Sequence, residues 1–285
     1  MALIEELVPE GSTPTALGVS VAAAPDPRSG RLASIANIQA LENVALGDEL
    51  ARRLAARGWA CPIAVANDAE LAAVAEGRLG AAVGLRDFVS ITIGTGIGMG
   101  IVLDGSVHGG WRGMAGELAF LPVGGMGLLQ NEADAYEVLV GGRSLQARSS
   151  AEIASARGAG ETTQLEPRAT IAAALELAEA GDPAATRLID RECHYLAIGI
   201  ATVCALVDPQ LVVLSGGIGA QPRLVDPLRR AVAEVMSEPP PIEISALGGR
   251  APLLGALEAA RDAVRGAPDR GLRRAAGGGV SGRSR

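Results

Sequence analysis

The segment FVSITIGTGIGMGIVLDGSVHGG, residues 88–110, constrains the fold more than any other stretch of this chain. Val89, Ile91 and Ile93 recur at period two, the spacing of one face of a β-strand. The glycines of IGTGIGMG (93–100) then turn the chain back into a second apolar strand, and Asp104-Gly105 favours a tight turn into a third. A dinucleotide-binding fingerprint runs strand, glycines, helix. Here strands flank the glycines on both sides, so that fingerprint does not fit. Two readings of the turn stand: a glycine-tolerant hairpin, or backbone amides left free of Cβ to approach an anion, with Thr95 adding a hydroxyl donor.

The rest of the chain alternates strand and helix patterns. Residues ALIEELV at the start read as the last turns of a helix. Leu17–Ala24 reads as a strand ended by a PDPRSG turn, Asp48–Arg57 as a helix and CPIAVA (61–66) as a short buried strand. A second helix starts at once, with Asn67 and Glu70 as N-cap and capping-box partner, and runs to Leu79. Gly109–Gly127 is a glycine-rich loop with one short helical element, and helices dominate from Tyr136 to Ala205. LVVLSGGIG (211–219) is a buried strand entering a glycine turn, Arg223–Met236 a helix and Ile242–Ala246 a strand. Leu253, Leu257, Ala260 and Val264 mark the apolar face of a final helix starting at Pro252. This order predicts a mixed α/β fold of two subdomains. Its boundaries are 1–82, with helix 251–265 beside it, and 83–250; the tail 266–285 carries Arg270, Arg273, Arg274, Arg283 and Arg285 and is expected to be disordered.

Composition removes several classes of chemistry. All 25 basic residues are arginine, which excludes a Schiff-base lysine and a Walker-type phosphate loop. His108 and His194 are the two histidines, too few for a multi-histidine metal site. Cys61, Cys193 and Cys204 are scattered and odd in number, which argues against a disulfide framework or a cysteine-rich zinc module. With 32 acids and a net charge of -7, the chain as a whole is no polyanion-binding surface. No apolar run approaches the roughly 18–20 residues that span a bilayer, and the acidic start resembles no signal peptide, so a cytoplasmic protein is expected.

Four polar residues stand where chemistry is plausible. Asn67-Asp68 lies where a buried strand meets a helix N-terminus; Asp68 there is either a general base facing a cleft or an incidental neighbour of a capping Asn67. Glu117 in MAGELAF and Glu137 in YEVLVGGRSL sit among small and apolar residues, placed either to accept hydrogen bonds from hydroxyl groups or on a helix surface. Gly216-Gly217 either packs against an adenine or simply turns the chain.

Taken in order, these segments resemble the ROK family of bacterial sugar kinases and sugar-responsive repressors. VANDAELAAVAEGRLGAA (65–82) resembles its Asn-Asp segment, the 88–110 hairpin its second phosphate-binding hairpin, and GMAGELAFLPV its Ala-Gly-Glu segment. AYEVLVGGRSL resembles the piece around its second sugar-binding Glu, and DPQLVVLSGGIG its adenosine-side glycines. The resemblance implies an actin-like ATPase (ribonuclease H-like) fold with a cleft between two α/β subdomains, the final helix returning to the first. It also implies that Asn67, Asp68, Glu117 and Glu137 contact a sugar, with Asp68 as the base in a kinase. Gly94, Thr95, Gly96 and Gly98 would approach the phosphates of ATP, Gly216 and Gly217 the adenosine, and a homodimer would form.

Three departures from the family pattern shape the expected function. The opening strands with their Asp-Gly-Gly-Thr type phosphate loop have no counterpart in these residues, and that loop supplies amides for ATP and an acid for Mg²⁺. The Gly-His that precedes the family's cysteine-rich zinc loop reads Ala119-Phe120, so no structural zinc is expected, and Phe120 is expected to pack where the metal-held loop would lie. The Pro-Gly turn after the sugar-side strand reads Ala22-Ala23-Ala24. The expectation is therefore the sugar-sensing part of a transcriptional regulator, which would reach DNA only through an N-terminal head outside these residues. An ATP-dependent hexose kinase with ATP and Mg²⁺ stands second.

Overall fold

A computed structural model describes residues 1–33, 39–122, 136–266 and 274–275. The chain opens with α1 (Ala2–Leu7), β1 (Leu17–Val21), a hairpin of β2 (Ala24–Pro25) and β3 (Leu32–Ala33), α2 (Leu46–Ala55), β4 (Ile63–Asn67) and α3 (Asp68–Leu79). β1 and β4 pair in parallel from Leu17↔Ile63 to Val21↔Asn67. Alternation sorts β4 cleanly between two layers: Ile63 and Val65 join Leu54 beneath α1 and α2, while Ala64 and Ala66 face Leu71, Ala256 and Ala259. The strand expected over Leu17–Ala24 ends at Val21 because the chain turns into the β2–β3 hairpin. That hairpin closes on Asp26, whose carboxylate accepts from the Arg28 and Ser29 amides at 2.9 and 2.8 Å.

The capping box of α3 forms as its spacing predicts. The Asn67 Oδ1 accepts from the Ala69 and Glu70 amides at 2.8 and 3.4 Å, and the Glu70 carboxylate in turn accepts from the Asn67 backbone N–H. Glu70 is buried, and that burial pushes its pKa up to about 7 against the lowering effect of this hydrogen bond.

The second sheet carries β5 (Phe88–Ile93), β6 (Ile97–Leu103) and β7 (Ser106–Val107). α4 (Gly142–Gly158), α5 (Ile171–Glu179) and α6 (Pro183–Val207) follow, then β8 (Val212–Ser215), the short turn α7 (Gly216–Gly219), α8 (Pro222–Val235) and β9 (Ile242–Ile244). The strand order is β7-β6-β5-β8-β9, antiparallel from β5 to β7 and parallel from β5 to β9. Asp104 and Gly105 both have positive φ, as the tight turn between β6 and β7 requires. Val89, Ile91 and Ile93 face the main core with α4, α5, α6 and α8, while Phe88, Val102, Val107 and Val213 face Ala73 and Val74 of α3. α3 thus packs on both sheets.

α9 (Ala251–Arg265) packs along α3, β1 and β4, but of the four residues expected on its apolar face only Ala260 is buried. Leu253, Leu257 and Val264 are exposed at 64%, 51% and 49%, and Ala251, Gly255, Ala256, Ala259 and Ala263 are buried. Close backbone approach selects the small residues. A methyl group at Gly255 would lie 1.9 Å from the Leu71 carbonyl oxygen, and one at Gly18 2.0 Å from that of Ala256. Arg78 on α3 ties the pair by bridging Glu258 and Asp262 at 3.3 and 2.5 Å. Most of the tail 266–285 lies outside the described residues, but Arg274–Ala275 forms β10, antiparallel to β4. Among the described residues the far edge of β1 pairs with no strand. No described helix is long and apolar enough to cross a membrane.

Two stability predictions follow from this packing. Gly255→Val drives side-chain atoms into the α3 backbone and is expected to destabilise by about 3 kcal/mol, read by urea unfolding. A midpoint equal to the parent's would refute the close contact. For Glu70, a pKa raised above the unfolded value of 4.5 makes the folded chain hold the extra proton between pH about 4.5 and 7. Stability from this group therefore falls as pH rises through that window. Glu70→Gln keeps the cap and should flatten that part of the Tm–pH curve; an unchanged slope would show that Glu70 ionises freely.

Candidate functional site

The site is assembled at the C-terminal ends of the strands, where α/β sheets place ligands. β4 delivers Asn67 and Asp68 directly to the start of α3. The Asn67 side chain is largely occupied by structure: its Oδ1 caps α3 and its Nδ2 donates to the Ala23 carbonyl at 3.1 Å. Asp68 accepts from the Ala69 amide at 2.9 Å. A helix N-terminus favours a carboxylate, yet the Asp68 pKa is raised because burial outweighs its amide hydrogen bonds.

The tip between β5 and β6 stands beside the start of α3, with Gly98 against Ala69. The Gly94 amide bonds the Gly96 carbonyl at 2.9 Å, which closes the turn and leaves Thr95 exposed. β8 runs parallel beside β5, with Thr92 opposite Ser215, and their hydroxyls lie 2.9 Å apart. The turn that follows β8 therefore stands next to the hairpin tip. Gly216 has φ +85 and comes so close to Ile93 that a methyl group would lie 2.4 Å from its carbonyl oxygen, whereas Gly217 is open. Gly94 also faces open space, but Gly98 lies against Ala69 of α3, the spacing that lets that helix approach β6.

Glu137 reaches this tip from the segment Tyr136–Val138. Its Oε2 accepts from the Ile97 amide at 3.2 Å and fills the place where a side chain at Gly96 would begin, 2.3 Å from an ideal Cβ. Gly142 anchors the other end of the segment by donating to the Gly94 carbonyl at 2.7 Å. Glu117, before the turn Leu118–Phe120, completes the group. Its pKa is raised by burial first and then by the charges of Asp68 and Glu137, so the three carboxylates share one electrostatic neighbourhood. Glu70 lies within the field of Glu117 as well.

All four polar residues singled out in the sequence, and both glycine turns, come to this end of the molecule. Phe120 departs from expectation, being 52% exposed rather than packed. Residues 123–135, which follow it, lie outside the described residues. Among the described residues no group of three or more His, Cys, Asp or Glu side chains is arranged to hold a metal ion. Sequence reasoning passed over Glu192 and Arg148, a buried pair behind the Glu137 segment. The available signal was an acid on α6 one helical turn from Leu188 and Leu196, in register with a buried stripe.

The ROK family model matches residues 2–263. The bifunctional enzyme NanE/NanK of Brucella suis biovar 1 (strain 1330) is 34% identical over 215 residues, which cover 74% of this chain and 37% of that protein. The chain thus matches well under half the length of that relative. The ROK family glucokinase from Streptomyces griseus, solved with glucose and AMPPNP, superposes with a TM-score of 0.72 at 26% identity, covering 89% of this chain and 83% of that one. A ROK family transcriptional regulator, a homolog of E. coli MLC, also has a TM-score of 0.72 at 26% identity, covering 88% of this chain and 63% of that one. Sugar kinases nonetheless predominate among the relatives, which reverses the expected order of regulator before kinase. The fold is the expected actin-like ATPase architecture, and the chain belongs to the ROK family.

Proposed function

We propose that this chain carries the sugar site of an ATP-dependent sugar kinase of the hexose and amino-sugar class. The observation that carries the reading is the contact between Glu137 and the glycine hairpin. An acid suited to sugar hydroxyls touches a turn suited to phosphate, with its carboxylate on the Ile97 amide. Phosphoryl transfer needs those two environments side by side, because its catalysis is mostly positioning and charge stabilisation.

Glu117 and Glu137 accept hydrogen bonds from sugar hydroxyls, and Asn67 holds Asp68 in place by capping α3. The Asp68 carboxylate, made more basic by its burial, takes the proton of the attacking hydroxyl as its oxygen bonds to the γ-phosphorus and the bond to the departing ADP breaks. Gly94, Thr95 and Gly96 lie on the phosphate side, Gly98 supports them by letting α3 approach, and Gly216 and Gly217 form the adenosine side. Mg²⁺ characteristically enters on nucleotide phosphates with one or two carboxylates. The ion would neutralise charge developing on the phosphates, with Asp68 left to accept the proton rather than to coordinate the metal.

A sugar-sensing role without catalysis is the second reading, favoured by the regulator neighbour. ADP release coupled to glucose and N-acetylmannosamine separates the two. Turnover supports the kinase; sugar binding by calorimetry without ADP release selects the sensor. Asp68→Asn is expected to lower kcat by about 10²–10⁴-fold while retaining sugar binding. It should also raise Tm at neutral pH, because it removes a charge whose raised pKa marks it as destabilising there. Wild-type turnover in this variant would remove Asp68 from the role of base.

A further inference from the structure

We propose that Glu192 and Arg148 form a buried positioning pair that sets Glu137 and the phosphate-side hairpin tip, although neither reaches the cleft. Glu192 lies on α6 and is fully buried, and it meets the Arg148 guanidinium from α4. Both partners grip the segment between Tyr136 and Gly142. The Glu192 Oε1 accepts from the Gly141 amide at 3.1 Å, and the Arg148 guanidinium donates to the Leu139 carbonyl. The pair therefore satisfies the Gly141 N–H and the Leu139 carbonyl at a place where an unmade bond is costly.

The remaining contacts carry that grip to the cleft. The Tyr136 hydroxyl donates to the Tyr195 carbonyl of α6 at 2.8 Å, which pins the near end of the segment. Ser144 donates to the Glu137 and Val138 carbonyls at 3.0 and 2.7 Å. From the segment, Glu137 takes the Ile97 amide and Gly142 holds the Gly94 carbonyl. Gly141 has φ +91, a conformation that glycine adopts without strain and that a residue with a Cβ would resist. A chain of polar contacts thus runs from the core of α6 to both sides of the hairpin tip. A buried ion pair is a weak source of net stability, since desolvation offsets attraction. Its geometric effect here is specific: two charged side chains hold two backbone groups on either side of one turn.

The kinetic part of this inference rests on the kinase reading; the structural part does not. The test is the double variant Glu192→Leu/Arg148→Met, which removes both charges together and so avoids an unpaired buried ion. Its Tm is expected to fall modestly, because the Gly141 N–H and the Leu139 carbonyl lose their partners even though no unpaired ion is left. Its kcat/KM for sugar should fall about 10²-fold, through both a lower kcat and a higher KM. Hydrogen exchange of the 93–99 peptide, with no ligand present, should accelerate on the order of tenfold. Arg148→Lys, which keeps the charge but lacks the fork that spans Glu192 and Leu139, should show the same exchange change in milder form. Parent-like exchange in both variants overturns the proposal even if the parent is an active kinase. Accelerated exchange in the variants of a parent that itself turns over no sugar supports the positioning pair and removes the kinase reading alone. If the double variant does not fold, parent-like exchange in Arg148→Lys by itself overturns the proposal.

Discussion

The arrangement of the cleft depends on how closely the first turn of α3 lies on β6. A methyl group at Gly100 would sit 2.4 Å from the Ala69 carbonyl oxygen and 2.7 Å from the Ala73 Cβ. Helix backbone therefore rests on strand backbone with no flexible side chain between them. This contact sets the height of Asp68, the first residue of the helix, against the tip of the hairpin that β6 leaves. α3 also packs along α9, so the same helix joins the first sheet to the second. Gly98 and Gly100 of β6 give α3 its seat, and Gly94 and Gly96 leave Thr95 as the one side chain of the turn between β5 and β6.

Such rigidity holds groups together that repel one another. Asp68, Glu70 and Glu117 all have raised pKa values, and burial is the leading cause in each. The charges of Asp68 and Glu137 add to it at Glu117, and that of Glu117 adds to it at Glu70. A fold selected for stability alone would not gather carboxylates in this way. On the kinase reading proposed above, a ligand rich in hydroxyl donors would relieve that cost, replacing lost hydration with hydrogen bonds and leaving the charges in place. The capping box meanwhile fixes the backbone beside Asp68.

Much of this was legible in the residues. The period-two pattern of Val89, Ile91 and Ile93 names the buried face of β5 correctly, because one face of a strand has a single alternative. Asn67 and Glu70 announce their helix start through a local chemistry that needs no tertiary context. The face of α9 was misread because hydrophobicity points to Leu253 and Leu257, while the close approach to Leu71 and Gly18 demands glycine and alanine. Periodicity reports which residues prefer burial, and it is blind to how near the neighbouring backbone stands. Glu192 was missed for a related reason: an acid in a buried helical register signals a partner, but that partner, Arg148, lies 44 positions away in sequence.

The acids of the cleft are held from different sides of the molecule. Asp68 is positioned by α3 and, through Asn67, by the carbonyl of Ala23 near the β2 hairpin. Glu137 is positioned by a segment bound to α4 and α6, deep in the layer beneath the second sheet. Glu117 stands electrostatically between them, in a stretch whose path depends on Gly116 passing close to the Met99 carbonyl. On the proposed kinase reading, a sugar contacting all three would bridge elements that share few direct hydrogen bonds of their own. Its binding energy would then be available to bring the Asp68 side and the hairpin side into one geometry, the condition under which a base and a phosphate cradle act on the same hydroxyl.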